Sequence, residues 1–168
     1  MFRQRFSPQA FTDPHISKET LMAILEAGTT APSCFNEQPW RFVLGKKEDF
    51  MEILTAGNRE WCAALETFVL LCAAPRYGHL SKDGTHHENR WASFDTGTCW
   101  GFMTLEGLKR GVYLHAMAGF DREKARERFS LDTLAPQAVI AFGAGADQPP
   151  EWTPRKPLEA VIIDRTER

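Results

Sequence analysis

The sequence lacks the features that mark membrane, secreted and nucleic-acid-binding proteins. Its longest apolar run, Phe68 to Ala74, is too short for a bilayer, which a helix crosses with about 20 residues. The first six residues contain no apolar core of a secretory signal. The formal net charge is only −2, so there is no basic field to attract nucleic acid. We therefore expect a cytoplasmic protein that binds neither membranes nor nucleic acids.

Cysteine pairs and hydrolase motifs are also missing. The four cysteines lie far apart without a Cys-x-x-Cys pair, which argues against a zinc knuckle, a thioredoxin-type pair and a disulfide scaffold. His79, His86 and His87 cluster in one polar stretch, but no carboxylate or cysteine at a suitable spacing completes a metal site. No Gly-x-Ser-x-Gly elbow is present. We therefore predict no metal site, and a cofactor-free hydrolase is the least favoured enzyme class.

Aromatic residues are unevenly represented, with five Trp and twelve Phe against two Tyr. This composition indicates either a large aromatic core or a site that stacks on a planar ligand. The 168 residues are enough for a sizeable core, and we predict that residues 1–168 form a single domain.

Hydrophobic periodicity and turn residues predict helices and strands along the chain. Ser17 suits an N-cap, and apolar residues three and four apart follow it, as in an amphipathic helix. Continuous apolar runs predict buried strands, and the polar stretch 76–89 predicts a loop. In chain order we predict helix 17–28, strand 40–44, helix 46–56, a short helix from residue 58, strand 67–74, helix 94–110, an extended stretch from residue 112 to Gly119, helix 122–129, strand 136–143, loop 147–154 and strand 158–163.

The most distinctive stretch runs from Ala31 to Trp40 and reads Ala-Pro-Ser-Cys-Phe-Asn-Glu-Gln-Pro-Trp. Pro32 and Pro39 disfavour helix at the residues before them and predict a loop. From the residues alone, an ordered turn with an anchoring tryptophan explains the stretch, because Pro, Ser and Asn are common turn formers. The whole string, however, resembles the Ala-Pro-Ser-x-x-Asn-x-Gln-Pro-Trp motif of the FMN-dependent nitroreductase family.

Three further stretches resemble the same family, in matching order from Arg5 to Val161. The first is Arg5-x-Ser7 near the amino terminus. The second runs from Gly111 to Asp121 and reads Gly-x-x-x-His-x-Met-x-Gly-Phe-Asp. The third starts at Arg155 and reads Arg-x-Pro-Leu-Glu-x-Val. Arg-x-Ser is uninformative by itself, because from these two residues alone a solvated arginine is the better explanation, but its place in the series supports the resemblance.

The resemblance implies an FMN site with residues in three groups. The phosphate and ribityl chain would be held by the amino-terminal segment, in which Gln9 stands where the family has a basic residue, and by an arginine near the carboxyl terminus. The flavin ring would lie against the Gly-Phe step and against the Pro-Ser loop of a neighbouring subunit. The implied cofactor-binding residues are Arg5, Phe6, Ser7, Gln9, Pro32, Ser33, Cys34, Asn36, Met117, Ala118, Gly119 and Arg155. His115 is either a pocket donor or a structural histidine.

The resemblance also implies a fold and an activity. The expected fold is α+β, with a central mixed β-sheet flanked by helices and an intertwined homodimer that exchanges strand 158–163. The expected enzyme is an NAD(P)H-dependent FMN oxidoreductase that reduces nitroaromatic, quinone or similar small-molecule acceptors by a ping-pong mechanism. No catalytic side chain is required, because FMN carries the chemistry.

Two alternatives stay open. The neutral Gln9, the short middle of the chain and Ala118, where related enzymes often have Glu, also suit a flavin-binding sensor or FMN carrier without reductase turnover. A flavoenzyme of the same fold with different chemistry, such as dehydrogenation, dehalogenation or flavin breakdown, would show the same motifs.

Overall fold

The fold is built on an antiparallel sheet whose strand order places the second strand in its interior. The structure, a computed structural model, describes residues 2–146 and 154–166, so most of the loop predicted at 147–154 lies outside the described residues. The elements are α1 (Lys18–Thr29), β1 (Trp40–Val43), α2 (Lys47–Ile53), α3 (Ala56–Cys62), β2 (Thr67–Ala73), β3 (Arg76–Leu80), β4 (His86–Glu88), α4 (Ala92–Lys109), β5 (Val112–Met117), α5 (Arg122–Phe129) and β6 (Ala135–Ala144).

The main sheet of the described residues has the order β1-β2-β6-β5, and β3 and β4 form a separate hairpin. Helices together with this antiparallel sheet make an α+β fold, which is the expected class. The three pairs described for the main sheet are all antiparallel. A mixed sheet would need a parallel neighbour in addition to these strands.

Each face of the sheet covers its own core. Residues such as Ile24, Met103 and Ile140 form the core between the sheet and the helices α1 and α4. Phe50 and Val139 belong to the core on the opposite face, toward α2, α3 and α5. Because side chains alternate along a strand, β5 contributes to both cores and also presents polar side chains on the second face.

Local sequence signals set the ends of two helices as predicted. The Ser17 hydroxyl accepts a hydrogen bond from the backbone N–H of Thr20 at 3.1 Å and begins α1. The Asp121 carboxylate accepts from the backbone N–H groups of Glu123 and Lys124 and begins α5.

The predicted end of α1 at Gly28 differs from the structure, because the helix continues through this residue to Thr29. A Cβ at Gly28 would lie 2.6 Å from Met103 Cγ. The glycine therefore allows α1 to pack closely on α4.

Three predicted segments differ from the structure. The helix predicted at 46–56 ends at Ile53, because Leu54 and Thr55 are extended, and a second helix begins at Ala56. The stretch 76–89, predicted as a loop, contains the β3–β4 hairpin. The strand predicted at 158–163 is wrong for the single chain, which has a 3-10 turn at Leu158–Ala160 and exposed residues beyond it. A strand needs a neighbour to pair with, and none of the described strands pairs with this segment. Exchange of this segment with a second chain stays a prediction.

A search of the described residues finds no helix with the length and apolar character needed to cross a membrane.

Candidate functional site

The central loop, residues 31–39, has an unusual backbone. Phe35, Asn36 and Gln38 have positive φ values of 52°, 57° and 47°. This left-handed conformation costs roughly 1–2 kcal/mol for each residue with a Cβ atom. The Ser33 hydroxyl accepts from the Gln38 N–H at 3.0 Å, and the Asp95 carboxylate accepts from the Cys34 N–H at 3.0 Å. These bonds hold the loop in a shape that its backbone alone would not favour.

Buried side chains fix the central loop to the body of the protein. Asp95 lies in the first turn of α4 and is only 4% exposed, and Trp40 is 5% exposed. Gln38 donates from its amide to the Asn36 carbonyl at 3.2 Å. This agrees with the interpretation that Gln38 and Trp40 brace the loop.

The β3–β4 hairpin lies against the outer side of the central loop. The Gly78 N–H donates to the Glu37 carboxylate at 2.9 Å, and the rings of Phe35 and Tyr77 have centroids 6.3 Å apart. Partial desolvation, followed by the proximity of Cys34, raises the pKa of Tyr77. These two contacts join the hairpin to the central loop.

The amino-terminal segment, residues 5–9, packs on β5 at the opposite edge of the sheet. The Phe6 ring lies on Tyr113 with centroids 5.0 Å apart, and His115 Nδ1 is 2.8 Å from the Pro8 carbonyl oxygen. A carbonyl only accepts, so Nδ1 carries the proton and donates. Because the backbone of the amino-terminal segment occupies Nδ1, the contact favours a structural role for His115 over that of a pocket donor.

Arg5 is half-buried, whereas Ser7 and Gln9 are exposed. The predicted phosphate donors of this segment are therefore available at the surface of a segment whose backbone is held by β5.

The end of β5 leads directly into the second predicted group. Met117 is buried, Ala118 is exposed and Gly119 is half-buried. The Gly119 carbonyl accepts from Asn58 Nδ2 at 2.9 Å and from the Thr55 N–H at 3.1 Å. A Cβ at Gly119 would lie 2.7 Å from Asn58 Nδ2, so glycine allows this close approach.

Sequence reasoning missed the residues of α3 and its N-terminus that support Gly119. Trp61 Nε1 donates to Asn58 Oδ1 at 3.2 Å, and the Trp61 ring lies 4.6 Å from the His115 ring. In the sequence, Asn58 and Trp61 indicate only the start of a short helix. Their spacing of three is that of helix neighbours, but nothing local shows that they meet β5.

The central loop and the end of β5 lie on opposite edges of the same end of the sheet. The strand register shows this. Trp40 pairs with Ala73, which pairs with Ala135 of β6. Met117 pairs with Val139, a few residues further along β6. With β2 and β6 between them, β1 and β5 are about 14 Å apart, at three strand spacings.

A recess of about 170 Å³ lies at this end of the sheet, below α4. The Thr96 side chain is 1% exposed, and its hydroxyl has no hydrogen-bond partner within residues 2–146 and 154–166. Ligand pockets usually measure about 300–1,000 Å³, so this recess is small for a cofactor. Its lining consists of Leu71, Ser93, Thr96, Gly97, Trp100, Ala116, Gln137 and Ala138.

The four cysteines are free thiols. Burial raises the pKa of Cys72 and of Cys99 to about 12, so both stay protonated and apolar. Cys34 is half-buried in the central loop. In the part of the chain that the structure describes, no group of three or more His, Cys, Asp or Glu side chains is arranged to hold a metal ion.

The structure thus brings the predicted residues into separate groups. Arg5 to Gln9 and Met117 to Gly119 meet at β5, and Pro32 to Asn36 form the central loop across the sheet. Arg155 lies exposed in the segment 154–166. The roles of all these residues in cofactor binding stay predictions.

Comparisons with known proteins find similarity to one family. Residues 2–61 match the model of the nitroreductase family. A Streptomyces coelicolor protein, provisionally named as an NADH dehydrogenase/NAD(P)H nitroreductase, is 27% identical over 94% of this chain and 88% of its own. A Staphylococcus haemolyticus protein, provisionally named as an NAD(P)H nitroreductase, is 25% identical over 96% of this chain and 94% of its own.

Solved structures share the fold across nearly the whole chain. One, described as an oxidoreductase containing FMN, is 28% identical with a TM-score of 0.86 and covers 97% of this chain and 89% of its own. A nitroreductase family protein from Streptococcus pneumoniae TIGR4 is 18% identical with a TM-score of 0.81 and covers 98% of both chains. The predicted nitroreductase-like fold is confirmed.

Proposed function

We propose that the chain is a member of the nitroreductase family and an FMN-dependent oxidoreductase that takes reducing equivalents from NADH or NADPH. One observation carries the proposal. The amino-terminal segment, with Arg5 and Ser7, is fastened to the strand that ends at Met117 and Gly119. A single strand therefore supports both the cation and hydroxyl that suit a phosphate and the backbone that suits the polar edge of a flavin.

The residues present fit the chemistry of FMN. Arg5 and Ser7 offer a charged donor and a hydroxyl for a phosphate, and Arg155 would add a second charge. Trp100 and Ala116 give the recess apolar walls for a planar ring. The buried Thr96 hydroxyl, unpaired among the described residues, offers a polar contact inside it.

A second copy of the chain would complete the site. The recess alone is too small, and the central loop is on the far edge of the sheet from β5. Trp91, Phe94 and Phe102 of the α4 region are 53%, 68% and 40% exposed, which is unusual for side chains of this size. A homodimer packed on α4 would cover them and bring Pro32, Ser33, Cys34 and Asn36 to the partner's ring. Residues 158–163 would then find a strand to pair with on the partner.

Bound FMN would supply the redox chemistry, accepting a hydride from NAD(P)H and passing electrons to an oxidised acceptor. The chain would contribute binding and orientation: Arg5, Ser7 and Arg155 would hold the phosphate, and Met117, Ala118 and Gly119 would hold the ring edge. Donor and acceptor would share one open face of the site, so they would bind in turn, in a ping-pong mechanism. Nitroaromatic and quinone compounds are the acceptors we propose, in the cytoplasm.

The test is an absorbance spectrum of the purified protein with FMN, before and after anaerobic addition of NADH or NADPH. A protein-bound flavin band that bleaches, and returns when a quinone is added, is the expected result. A bound flavin that neither nucleotide bleaches would favour a sensor or carrier, for which the neutral Gln9 and Ala118 are the supporting residues. If no flavin binds even when FMN is added in excess, the proposed function is wrong.

A further inference from the structure

We infer that Asn58, Trp61 and His115 are positioning residues that align the phosphate-binding and ring-binding parts of the flavin site with each other. The inference rests on the proposed function for the identity of the ligand. Its physical basis is a continuous chain of contacts from the Pro8 carbonyl to the Gly119 carbonyl.

The first link holds the amino-terminal segment. His115 Nδ1 donates to the Pro8 carbonyl at 2.8 Å, and Pro8 itself is buried between Ser7 and Gln9, which are exposed. Proline has no N–H with which to fix the segment through a backbone pair. The imidazole therefore supplies an anchor for the backbone that carries Arg5 and Ser7.

The second link is aromatic. The rings of Trp61 and His115 have centroids 4.6 Å apart at an interplanar angle of 39°. Trp61 is half-buried, and its indole N–H donates to Asn58 Oδ1 at 3.2 Å. Trp61 thereby restricts the imidazole on one side and the amide on the other.

The third link holds the ring-binding loop. Because Oδ1 of Asn58 is taken by Trp61, the amide is oriented with Nδ2 toward the Gly119 carbonyl, 2.9 Å away. The Thr55 N–H adds a second bond to the same carbonyl at 3.1 Å. The peptide between Gly119 and Phe120 is therefore fixed from the side of α3.

Ordinary packing does not explain this chain of contacts. The three side chains are half-buried, not part of the fully buried core, and two of them direct a polar group to a backbone carbonyl. Those carbonyls belong to the two segments that we propose to contact the opposite ends of FMN. His115 and Asn58 each hold one of these segments, and Trp61, which contacts both side chains, sets their relative position.

Comparison of FMN with riboflavin separates the two ends, because riboflavin lacks the phosphate. His115→Phe keeps the ring against Trp61 and removes the donor to Pro8. We expect its dissociation constant for FMN to rise about fivefold to tenfold, the effect of one hydrogen bond, with a change for riboflavin below about twofold. His115→Asn, whose amide nitrogen can take the place of Nδ1, should restore most of the FMN affinity.

Asn58→Ala should raise the dissociation constants of FMN and riboflavin by similar factors, because it acts on the ring-binding loop. Trp61→Phe keeps the aromatic contact but frees the Asn58 amide, and it should weaken both flavins less than Asn58→Ala does. His15→Phe is the matched control, since His15 is exposed and pairs with Glu66 outside both segments. It should change neither constant.

Hydrogen–deuterium exchange of the flavin-free protein gives a readout that needs no cofactor. His115→Phe should speed exchange in residues 5–12 and leave residues 118–121 unchanged, Asn58→Ala should do the reverse, and Trp61→Phe should affect both. If a variant unfolds, Asn58→Ser and His115→Leu replace it, because each removes the same hydrogen bond and should act in the same direction.

Two results would overturn the inference. One is an equal loss of FMN and riboflavin binding in His115→Phe. The other is an exchange pattern in residues 5–12 and 118–121 that differs from the pattern expected for the three variants. A wild-type protein that binds neither flavin would instead overturn the proposed function and the ligand named here. The exchange pattern would then decide whether these three residues position the two segments.

Discussion

The central loop and the amino-terminal segment are held in place by different means. The central loop contains three left-handed residues, and much of its order comes from partners within a few positions, such as the bond from the Gln38 N–H to the Ser33 hydroxyl. No residue of the amino-terminal segment has a positive φ in the described chain, and its anchor on His115 is 107 positions away. One region is strained and is braced both from within and by Asp95 of α4, whereas the other is relaxed and rests on a distant strand.

This difference determines which substitutions each region should tolerate. A strained loop keeps its shape only while its braces outweigh the strain, so loss of one strong brace should release it. A relaxed segment that rests on another strand should loosen without unfolding the protein. Four substitutions, each with a control, test this contrast.

Removal of the buried brace of the central loop should have the largest effect. Asp95→Ala leaves the Cys34 N–H without its carboxylate partner and should lower the free energy of unfolding by about 3 kcal/mol, the upper range for a buried bond to a charged group. Urea denaturation measures the change. Asp132→Ala is the matched control at an exposed position and should cost less than about 0.5 kcal/mol. Equal effects would show that the loop does not depend on Asp95.

Arg155→Ala should weaken FMN binding, because the amino-terminal segment offers Arg5 as its only cation for the phosphate. We expect a loss of about 1.5–3 kcal/mol of binding free energy for one charge-assisted contact. Lys156→Ala, the adjacent exposed cation, should change the affinity much less. Titration of flavin fluorescence measures both. Equal losses would contradict the assignment of Arg155 to the phosphate.

Gly143→Ala should disturb the region that follows the amino-terminal segment. A Cβ at Gly143 would lie 2.4 Å from Phe11 Cδ1 and 3.0 Å from Phe11 Cβ, so the chain around Phe11 must move. Overpacking of this kind costs about 1–3 kcal/mol, and thermal unfolding measures it. Gly57→Ala is the control, because no described atom lies within 4 Å of its added Cβ, and it should be neutral or stabilising.

The sequence allowed those parts of the fold to be predicted whose cause is local. Ser17 and Asp121 begin helices through bonds to residues two or three positions away, and both were predicted. The loop motif was recognisable because its prolines and polar residues lie in one stretch. The bond from Asn58 to Gly119 joins residues 61 positions apart, and no periodicity indicates such a pair.

Two further failures have the same physical origin. A strand is defined by its neighbour, so the apolar residues of 158–163 predict a strand without showing whether one chain can supply its partner. The hairpin at 76–88 was missed because its residues are polar and largely exposed, and alternation of buried and exposed side chains is the signal by which strands are predicted. Resemblance to the family, not periodicity, is the basis for assigning these separate groups of residues to one proposed site.

The strain itself can be tested by relieving it. Gln38 has a φ of 47°, which glycine adopts without a steric penalty, so Gln38→Gly should raise the free energy of unfolding by about 1 kcal/mol. Glu48→Gly, at an exposed position of α2, should instead lower it by about 1 kcal/mol, because glycine is unfavourable within a helix. If both variants lose stability equally, the left-handed backbone at Gln38 carries no strain. If Gln38→Gly is more stable but binds FMN less tightly in the dimer, the loop keeps its strained shape because cofactor binding requires it.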